Sequence, residues 1–391
     1  MINSRSMDMQ KIPTPSYVID EGKLEDNCKI LHEVAGKAGC KILLAQKAYS
    51  TFATYPLIRR YLSGATASGL YEARLGQEEM KGENHVFSPA CSEEEMAELV
   101  KICDHISFNS VSQLNMHRQI CMENGVSIGL RINPECSTQE HGIYDPCAPF
   151  SRLGVTRAML DEAAYDDLLF GVEGLHIHTL CEQNADALET TLKAFCGKFD
   201  DILRLPQIKW LNLGGGHHIT REDYDRVLLI RLIREVKEKY NVEVYLEPGE
   251  AIALNAGYLV TTVMDIVHNG MPILILDASA ACHMPDVIEM PYTPPLRGAE
   301  PVLAEEKQST GIVCRLASRT CLAGDIIGDY RFETMPKIGD RLVFEDMAIY
   351  SMVKNNTFNG MPLPSIYLMH EDGECELIRE FSYEDFKGRL S

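Results

Sequence analysis

The residues of this chain that are able to do covalent chemistry stand at the ends of short apolar segments. Lys47 is the first of them, in the segment LLAQKA. Burial beside apolar residues lowers the pKa of a lysine, and an amine of lowered pKa forms an imine with a carbonyl compound. The segment therefore predicts a nucleophilic lysine. A lysine that extends from a strand end into water is the open alternative.

Two later segments contribute an anion-binding loop and a carboxylate. Gly214, Gly215 and Gly216 stand directly before a helical pattern, where glycines let backbone N–H groups approach a phosphate closely. A tight turn explains the same glycines. Glu247, in EPG at the end of an apolar segment, needs a cationic partner, which is either a protonated pyridine ring or a basic side chain.

His176 and His178 form an H-x-H pattern on one predicted strand, so that both side chains point to the same face. Metal-dependent hydrolase barrels use such a pair, but characteristically after their first strand. Here the pair belongs to the sixth strand, and the sequence shows no further ligands, so we expect no metal. His178 is interpreted as an imidazole stacked on a flat cofactor, and His176 as a packing residue.

The elements that must position these residues alternate regularly from about residue 40 to residue 250. Eight short apolar segments, each followed by a helical pattern, predict parallel strands with right-handed crossovers. Eight strands close a (β/α)8 TIM-like barrel, whereas the alternative, an open doubly wound sheet, normally stops at about five to seven. The predicted strands are KILLAQKA (41–48), GATAS (64–68), HVFSPA (85–90), HISFNS (105–110), SIGLRINP (127–134), GLHIHT (174–179), IKWLNLGGG (208–216) and VEVYLEPG (242–249).

After residue 260 the pattern changes to short, closely spaced apolar segments interrupted by Gly, Pro and Asp. This pattern of short apolar segments predicts a mainly antiparallel β-domain, to which an N-terminal strand in IPTPSYVID belongs. The expected fold class is therefore α/β, with a barrel over residues 26–261 inserted between two pieces of a β-domain, residues 1–25 and 262–391.

Barrel enzymes place their reactive groups at the C-terminal ends of the strands, and phosphate commonly binds after strands 7 and 8. Applied to the eight predicted strands, this rule brings six groups to one end of the barrel. They are Lys47, Arg131, the His176–His178 pair, the three glycines, Glu247 and Glu250.

The composition limits the classes of binding partner and the cellular compartment that we expect. The 391 residues include 37 Lys and Arg against 57 Asp and Glu, a net charge of −20, which disfavours nucleic acid and leaves cationic small molecules as better partners. No apolar run approaches the roughly 18 residues that cross a bilayer, and the N-terminal segment lacks the pattern of a signal peptide. Thirteen scattered cysteines without a C-x-x-C pair indicate reduced thiols, so we expect a cytoplasmic protein that binds no membrane.

The ordered set of motifs resembles a known family. LAQKA, HIHTL, the glycine run and EPG occur in this order in the basic amino-acid decarboxylases that depend on pyridoxal 5'-phosphate (PLP) and share the alanine-racemase-like fold. CLAGD (321–325), DMAIYS (346–351) and FNG (358–360) continue the resemblance over nearly the whole chain. Within this family GLHIHTLCEQ, HMPD and NNTFNGMPLPS are similar to the branch that decarboxylates carboxyspermidine and carboxynorspermidine.

The resemblance implies a role for each barrel residue. Lys47 would carry PLP covalently, Glu247 would keep the pyridine ring protonated, and His178 would stack on the ring. The three glycines would hold the phosphate, and Arg131 would lie near the phenolic oxygen of the cofactor.

The resemblance also implies a head-to-tail homodimer with shared active sites. Cys321 would reach in from the second subunit as the proton donor, and Tyr350 would approach the phosphate from that subunit. The alternative for Cys321 is a structural thiol like the other twelve.

Departures from the family pattern bear on the substrate. Relatives that act on simple amino acids usually have EPGR, whereas Glu250 takes the fourth position here, and an anion at that point favours a cationic substrate. Leu322 stands where diaminopimelate decarboxylases have an acidic residue. Asp286, Asp277 and Asp325 are further candidates to bind ammonium groups, and solvated loop carboxylates are the alternative for all of them.

We therefore expect a PLP-dependent decarboxylase that acts on carboxyspermidine, carboxynorspermidine or both. A decarboxylase for ornithine, arginine or diaminopimelate is the first alternative, and a non-catalytic PLP-binding homologue is the second. A metal-dependent hydrolase is a distant third.

Overall fold

The computed structural model describes residues 9, 11–140, 142–161, 168–302 and 310–391. The chain divides into two compact units, Glu25–Ile252 and Met1–Leu24 with Ala253–Ser391. The sequence prediction placed the second boundary between residues 261 and 262, a position inside the strand Gly257–His268.

The unit Glu25–Ile252 contains a closed barrel of eight parallel strands, as the repeat of apolar segments predicted. With the N-terminal strand of the other unit counted as β1 (Ser16–Asp20), the barrel strands are β2 (Lys41–Ala45), β3 (Gly64–Ala67), β4 (Glu83–Ser88), β5 (His105–Phe108), β6 (Ser127–Ile132), β7 (Val172–Ile177), β8 (Trp210–Asn212) and β9 (Glu243–Leu246).

Helices follow the barrel strands, and polar side chains fix several of their first turns. Ser92 and Glu95 form a capping box, in which each side chain accepts a hydrogen bond from the backbone of the other residue. The helices of this part of the chain are Glu21–Ala38, Tyr55–Ile58, Leu70–Leu75, Glu93–Leu99, Val111–Glu123, Arg157–Asp161, Ala185–Leu203, Arg226–Tyr240 and Glu250–Ala253.

Trp210 fills the interior of the barrel because two neighbouring strands carry no side chain beside it. A Cβ atom added to Gly174 would lie 2.0 Å from the indole, and one added to Gly129 would lie 2.4 Å from it. The indole N–H donates to Ser127 Oγ at 2.9 Å, so the one polar atom of the ring is satisfied. The N-terminal end of the barrel is therefore a packed core.

The other unit contains a nine-stranded sheet with six antiparallel and two parallel strand pairs, which confirms the predicted β-domain. Strand β1 lies in the middle of this sheet, antiparallel to Gly257–His268 and parallel to Ser365–Met369. The C-terminal strands are β10 (Gly257–His268), β11 (Pro272–Leu276), β12 (Ala299–Pro301), β13 (Ile312–Ser318), β14 (Ile326–Phe332), β15 (Arg341–Glu345), β16 (Ser365–Met369) and β17 (Cys375–Arg379), and short helices cover Ala280–His283, Asp286–Glu289 and Tyr383–Lys387.

Among the helices of the described residues, none combines the length and the apolar character needed to cross a bilayer.

Candidate active site

Lys47 lies in a turn two residues beyond the end of β2, at the C-terminal end of the barrel. The sequence prediction had included it in the strand, but the strand ends at Ala45. The turn leaves the lysine exposed to solvent, although other protein groups lie close around it. Accessibility of the amine at this end of the barrel is what a nucleophile requires.

The pKa of Lys47 is lowered, as the sequence predicted. Burial by the surrounding protein is the largest cause, and the positive charge of Arg131 acts in the same direction. The carboxylates of Glu250 and Glu247 oppose the shift, so both lie close enough to interact with the ammonium group. The amine therefore holds its proton less tightly than an ordinary lysine does, and two acidic groups lie nearby.

Arg131 on β6 contacts His178, the residue that follows the adjacent strand β7. Arg131 is 5% exposed, and burial lowers its pKa to about 10, so the guanidinium remains charged at neutral pH. The guanidinium lies 4.3 Å from the centre of the Phe87 ring and donates to the carbonyl oxygen of His178 at 3.4 Å. Burial, followed by the nearby charge of Lys47, holds the pKa of His178 far below its usual value. The His178 imidazole is therefore neutral.

The glycine loop packs directly on the segments that follow β7 and β9, which contain His178 and Glu247. Gly214 has a φ of +70° and Gly216 a φ of +79°, both in the left-handed region that favours glycine. A Cβ on Gly215 would lie 2.4 Å from the carbonyl oxygen of Glu247. The Gly215 N–H donates to His178 Nδ1 at 3.3 Å, which places the imidazole proton on Nε2.

Glu247 follows β9 by one residue and is 6% exposed. Its Oε1 accepts a hydrogen bond of 2.7 Å from Asn212 Nδ2, and its Oε2 lies 3.5 Å from His176 Nε2. Asn212 was missed by the sequence prediction, although a polar residue inside the apolar segment IKWLNL is a signal that could have found it. Glu247 is thus a buried carboxylate contacted by two uncharged groups.

Glu250 begins a short helix behind Glu247, and it is 7% exposed. Its Oε2 lies 3.0 Å from Nε2 of His218, a residue that the sequence prediction also missed. The HH pair that follows the glycine run was the available signal. A carboxylate oxygen of Glu182 lies within 4.8 Å of the nearest ligand atoms of Glu250 and His218. Two carboxylates therefore lie close together on this side of the site.

Cys321 and Tyr350 belong to the sheet-containing unit. Cys321 is exposed, and its backbone N–H donates to Asn359 Oδ1 at 2.8 Å. Tyr350 has a φ of +50°, which is uncommon for a bulky residue. An exposed thiol on an ordered turn is available to a second molecule.

Asp277 and Asp325 are buried and extensively hydrogen-bonded within the sheet-containing unit. Asp277 accepts from Thr14 and Thr261 and from the backbone N–H of Thr262. For Asp325 the donors are the hydroxyls of Ser279 and Thr320 and the N–H of Ala281. Carboxylates that already accept three hydrogen bonds stabilise their own loops.

Asp286 forms an ion pair with Lys354, which also contacts Glu289. The pKa of Lys354 is raised by these two carboxylates, against the lowering effect of burial. A cationic ligand would therefore have to displace Lys354 from Asp286.

The barrel residues fit PLP. The amine of Lys47 has a lowered pKa, the His178 imidazole is neutral, Arg131 is a permanent cation, and Glu247 is a buried carboxylate whose direct partners carry no charge. His176, His178 and Glu247 also have ligand atoms within 4.8 Å of one another, a spacing that suits a metal ion and that the sequence prediction had missed. When bound, PLP supplies a sink for the electron pair left by departing CO₂.

Comparison with known proteins identifies the family. Residues 16–348 match the family model described as pyridoxal-dependent decarboxylase, C-terminal sheet domain. A carboxynorspermidine/carboxyspermidine decarboxylase of Campylobacter jejuni is 43% identical over 97% of this chain and 99% of its own. A carboxyaminopropylagmatine decarboxylase of a Synechocystis species is 41% identical over 98% and 96%, respectively.

Solved structures agree with the sequence comparison. Carboxynorspermidine decarboxylase from Campylobacter jejuni, in complex with norspermidine, has a TM-score of 0.89 and 41% identity over 97% of this chain and 100% of the solved chain. Diaminopimelate decarboxylase from Helicobacter pylori has a TM-score of 0.81 at 18% identity over 99% of each chain, which shows the common fold. The chain belongs to the pyridoxal-dependent decarboxylase family, with PLP as its cofactor.

Proposed function

We propose that this decarboxylase removes CO₂ from carboxyspermidine, carboxynorspermidine or both, giving spermidine or norspermidine in polyamine biosynthesis. The observation that carries the proposal is Glu250, a carboxylate that lies near Lys47 at the point where simple amino-acid decarboxylases usually have an arginine. The Campylobacter jejuni relative, named for this activity, supports it, as does the solved structure that contains norspermidine.

In this proposal the barrel residues divide the work. Lys47 would hold the cofactor through Nζ, Glu247 would keep its pyridine nitrogen protonated, and His178 would stack on its ring. Arg131 would contact its phenolic oxygen. The glycine loop Gly214–Gly216 holds the phosphate, although two of its three N–H groups already donate to Asn212 and His178.

Cys321 returns a proton to the carbon that has lost CO₂, and it does so from the second subunit of a homodimer, with Tyr350 near the phosphate. The exposed position of the thiol supports this role. Mixing inactive Lys47→Ala and Cys321→Ala proteins should then restore about a quarter of the wild-type activity, because half of the dimers carry one intact site of two. No recovery on mixing, with dimers verified by light scattering, would contradict shared sites.

Glu250 is the foremost carboxylate for the substrate ammonium groups. Asp286 is the next candidate, while Asp277 and Asp325 are weaker ones because three donors already occupy each of them. Glu250→Gln should raise KM for a carboxy-polyamine about tenfold, as expected for the loss of one hydrogen bond to a charged group, while PLP remains bound. Glu33→Gln, on an exposed helix face, is the matched control.

A second candidate activity comes from the Synechocystis relative, which decarboxylates carboxyaminopropylagmatine and is nearly as similar to this chain. The test is CO₂ release from a panel of carboxyspermidine, carboxynorspermidine, carboxyaminopropylagmatine, ornithine, arginine and diaminopimelate. The proposal expects the highest kcat/KM with a carboxy-polyamine. Preference for carboxyaminopropylagmatine or for an amino acid would replace it, and no turnover at all would favour a non-catalytic homologue.

The proposal includes a cytoplasmic location. The thirteen cysteines are all free thiols in the structure, and a reducing compartment keeps them so. Cell fractionation that recovers the protein in an oxidising compartment would overturn this part.

A further inference from the structure

We infer that Asn212 and His176 are positioning residues, which hold the Glu247 carboxylate from both sides in the orientation that the cofactor ring requires. The inference rests on the proposed role of Glu247. It changes the interpretation of His176, which the sequence had indicated to be a packing residue, and it gives Asn212 a part in the reaction.

Asn212 links the glycine loop to Glu247 through one amide group. Its Oδ1 accepts the N–H of Gly214 at 2.8 Å, and its Nδ2 donates to Glu247 Oε1 at 2.7 Å. Because the first contact fixes which end of the amide faces Glu247, the carboxylate meets a donor. The side chain is 2% exposed, so water does not compete for either bond. A shift of the glycine loop would therefore rotate Glu247.

His176 faces the other oxygen of the same carboxylate. Its Nε2 lies 3.5 Å from Glu247 Oε2, short of a formed hydrogen bond, and both ring nitrogens are buried without a hydrogen-bond partner among the described residues. Contacts at catalytic sites are often long before the ligand binds and tighten afterwards. Burial lowers the pKa of His176 to about 4, against the raising effect of Glu247, so the ring is a neutral donor.

The barrel register explains why these three groups converge. His176 on β7 pairs directly with Asn212 on β8, and Asn212 pairs with Tyr245 on β9, two residues before Glu247. Neighbouring strands therefore deliver an imidazole, an amide and a carboxylate to one level of the barrel. Since both direct partners are uncharged, they orient the carboxylate without neutralising it, and its charge stays available for the pyridine nitrogen.

Asn212→Asp tests the amide with almost no change in shape. The variant keeps the acceptor for Gly214 but puts a second carboxylate oxygen 2.7 Å from Glu247, and two such groups share a proton that competes with the ring nitrogen. We expect PLP to bind about tenfold to hundredfold more weakly to the apoprotein, with a pH dependence absent from the wild type. Equilibrium binding of PLP, followed by absorbance, measures both.

Asn84→Asp is the matched control, because Asn84 is also buried on a barrel strand but donates to Ala73 and Ile102 carbonyls. It should lower stability and leave the PLP affinity of the folded protein unchanged. Asn212→Asp protein that binds PLP like the wild type across the pH range overturns the inference. The proposed function is decided separately, by turnover of the wild-type enzyme on the substrate panel.

His176 is tested by a pair of variants. Gln places an amide donor near the position of Nε2, whereas Leu fills the site without a donor. We expect His176→Leu to bind PLP about tenfold more weakly and His176→Gln to stay within about twofold of the wild type. If both variants bind PLP equally well, or both lose it equally, His176 is a packing residue and this half of the inference is wrong.

Discussion

The two ends of the barrel carry the same kinds of residue, but the polar groups at the two ends have different partners. At the C-terminal end His176, His178 and Glu247 lie together beside the accessible amine of Lys47. At the N-terminal end Glu83, His85 and His105 form an equally tight cluster. Residue type and spacing do not distinguish the two groups, so the difference must come from what each group contacts.

The side chains of the N-terminal cluster already pair or stack with neighbouring residues. Lys41 pairs with Glu83, and His85 lies 3.3 Å from the other oxygen of that carboxylate. The rings of His85 and His105 are stacked, with centres 4.1 Å apart and planes inclined by 16°, and Trp210 lies against His105. The nitrogen lone pairs of stacked rings lie in nearly parallel planes, an arrangement that disfavours binding of one ion by both rings. A neutralised carboxylate and stacked imidazoles stabilise the barrel, whereas a carboxylate held by neutral donors is kept for a ligand.

Removal of a lysine near each end of β2 should have very different effects. Lys47→Ala should reduce turnover to the background of a CO₂-release assay and abolish the absorbance of the bound cofactor, because the amine is the proposed attachment point. Lys41→Ala, at the start of the same strand, should keep turnover and lose some stability. Residual activity of the Lys47→Ala protein, or loss of activity in folded Lys41→Ala protein, would contradict the assignment of function to the C-terminal end and of stability to the N-terminal end.

Substitution of a glycine at each end of the barrel should have a smaller effect than removal of a lysine. Gly174→Ala should lower the free energy of unfolding by about 3 kcal/mol, since its Cβ would overlap the Trp210 ring at 2.0 Å. Gly215→Ala, whose Cβ would meet the Glu247 carbonyl oxygen at 2.4 Å, should instead weaken PLP binding. Chemical denaturation and PLP titration of both variants would show whether the two losses separate as expected.

The smallest effect is a pH dependence of stability at the N-terminal end. Burial, followed by the charge of His85, lowers the pKa of His105 to about 3, whereas the unfolded chain has an ordinary value near 6.5. The unfolded state then binds more protons between these values, so stability is complete above about pH 6.5 and falls toward pH 3. His105→Phe should flatten this slope by at most about 1.4 kcal/mol per pH unit. If the pH dependence of stability is unchanged in the variant, His105 binds the same number of protons in the folded and the unfolded state, and its pKa is not lowered by folding.

Sequence patterns predicted the fold class well because strand periodicity and strand count are local properties. All eight predicted barrel strands exist, although the strands end earlier than the apolar segments do. Lys47, His178 and Glu247 therefore lie just past their strands, on loops that the hydrophobic pattern cannot delimit. Their position at one end of the barrel followed from the rule for parallel strands and needed no side-chain detail.

What the sequence could not supply is the partner of each polar group. The sequence did not show that hydroxyl groups donate to Asp277 and Asp325, and two of those donors, Thr14 and Ser279, lie far away in the chain. Asn212 escaped notice because its partners depend on the register between neighbouring strands. Satisfaction of hydrogen bonds is a tertiary property, and it decides which polar residues remain available for chemistry.

The packing of Trp210 has a practical consequence. It is the single tryptophan of the chain and is 4% exposed, wedged against Gly129 and Gly174 inside the barrel. Indole emission shifts when the ring meets water, so fluorescence excited at wavelengths that tyrosine does not absorb reports the opening of the barrel and does not follow the melting of the nine-stranded sheet. Far-ultraviolet circular dichroism sums the two events. The molecule thus contains a native optical probe that resolves the unfolding of one unit from that of the other.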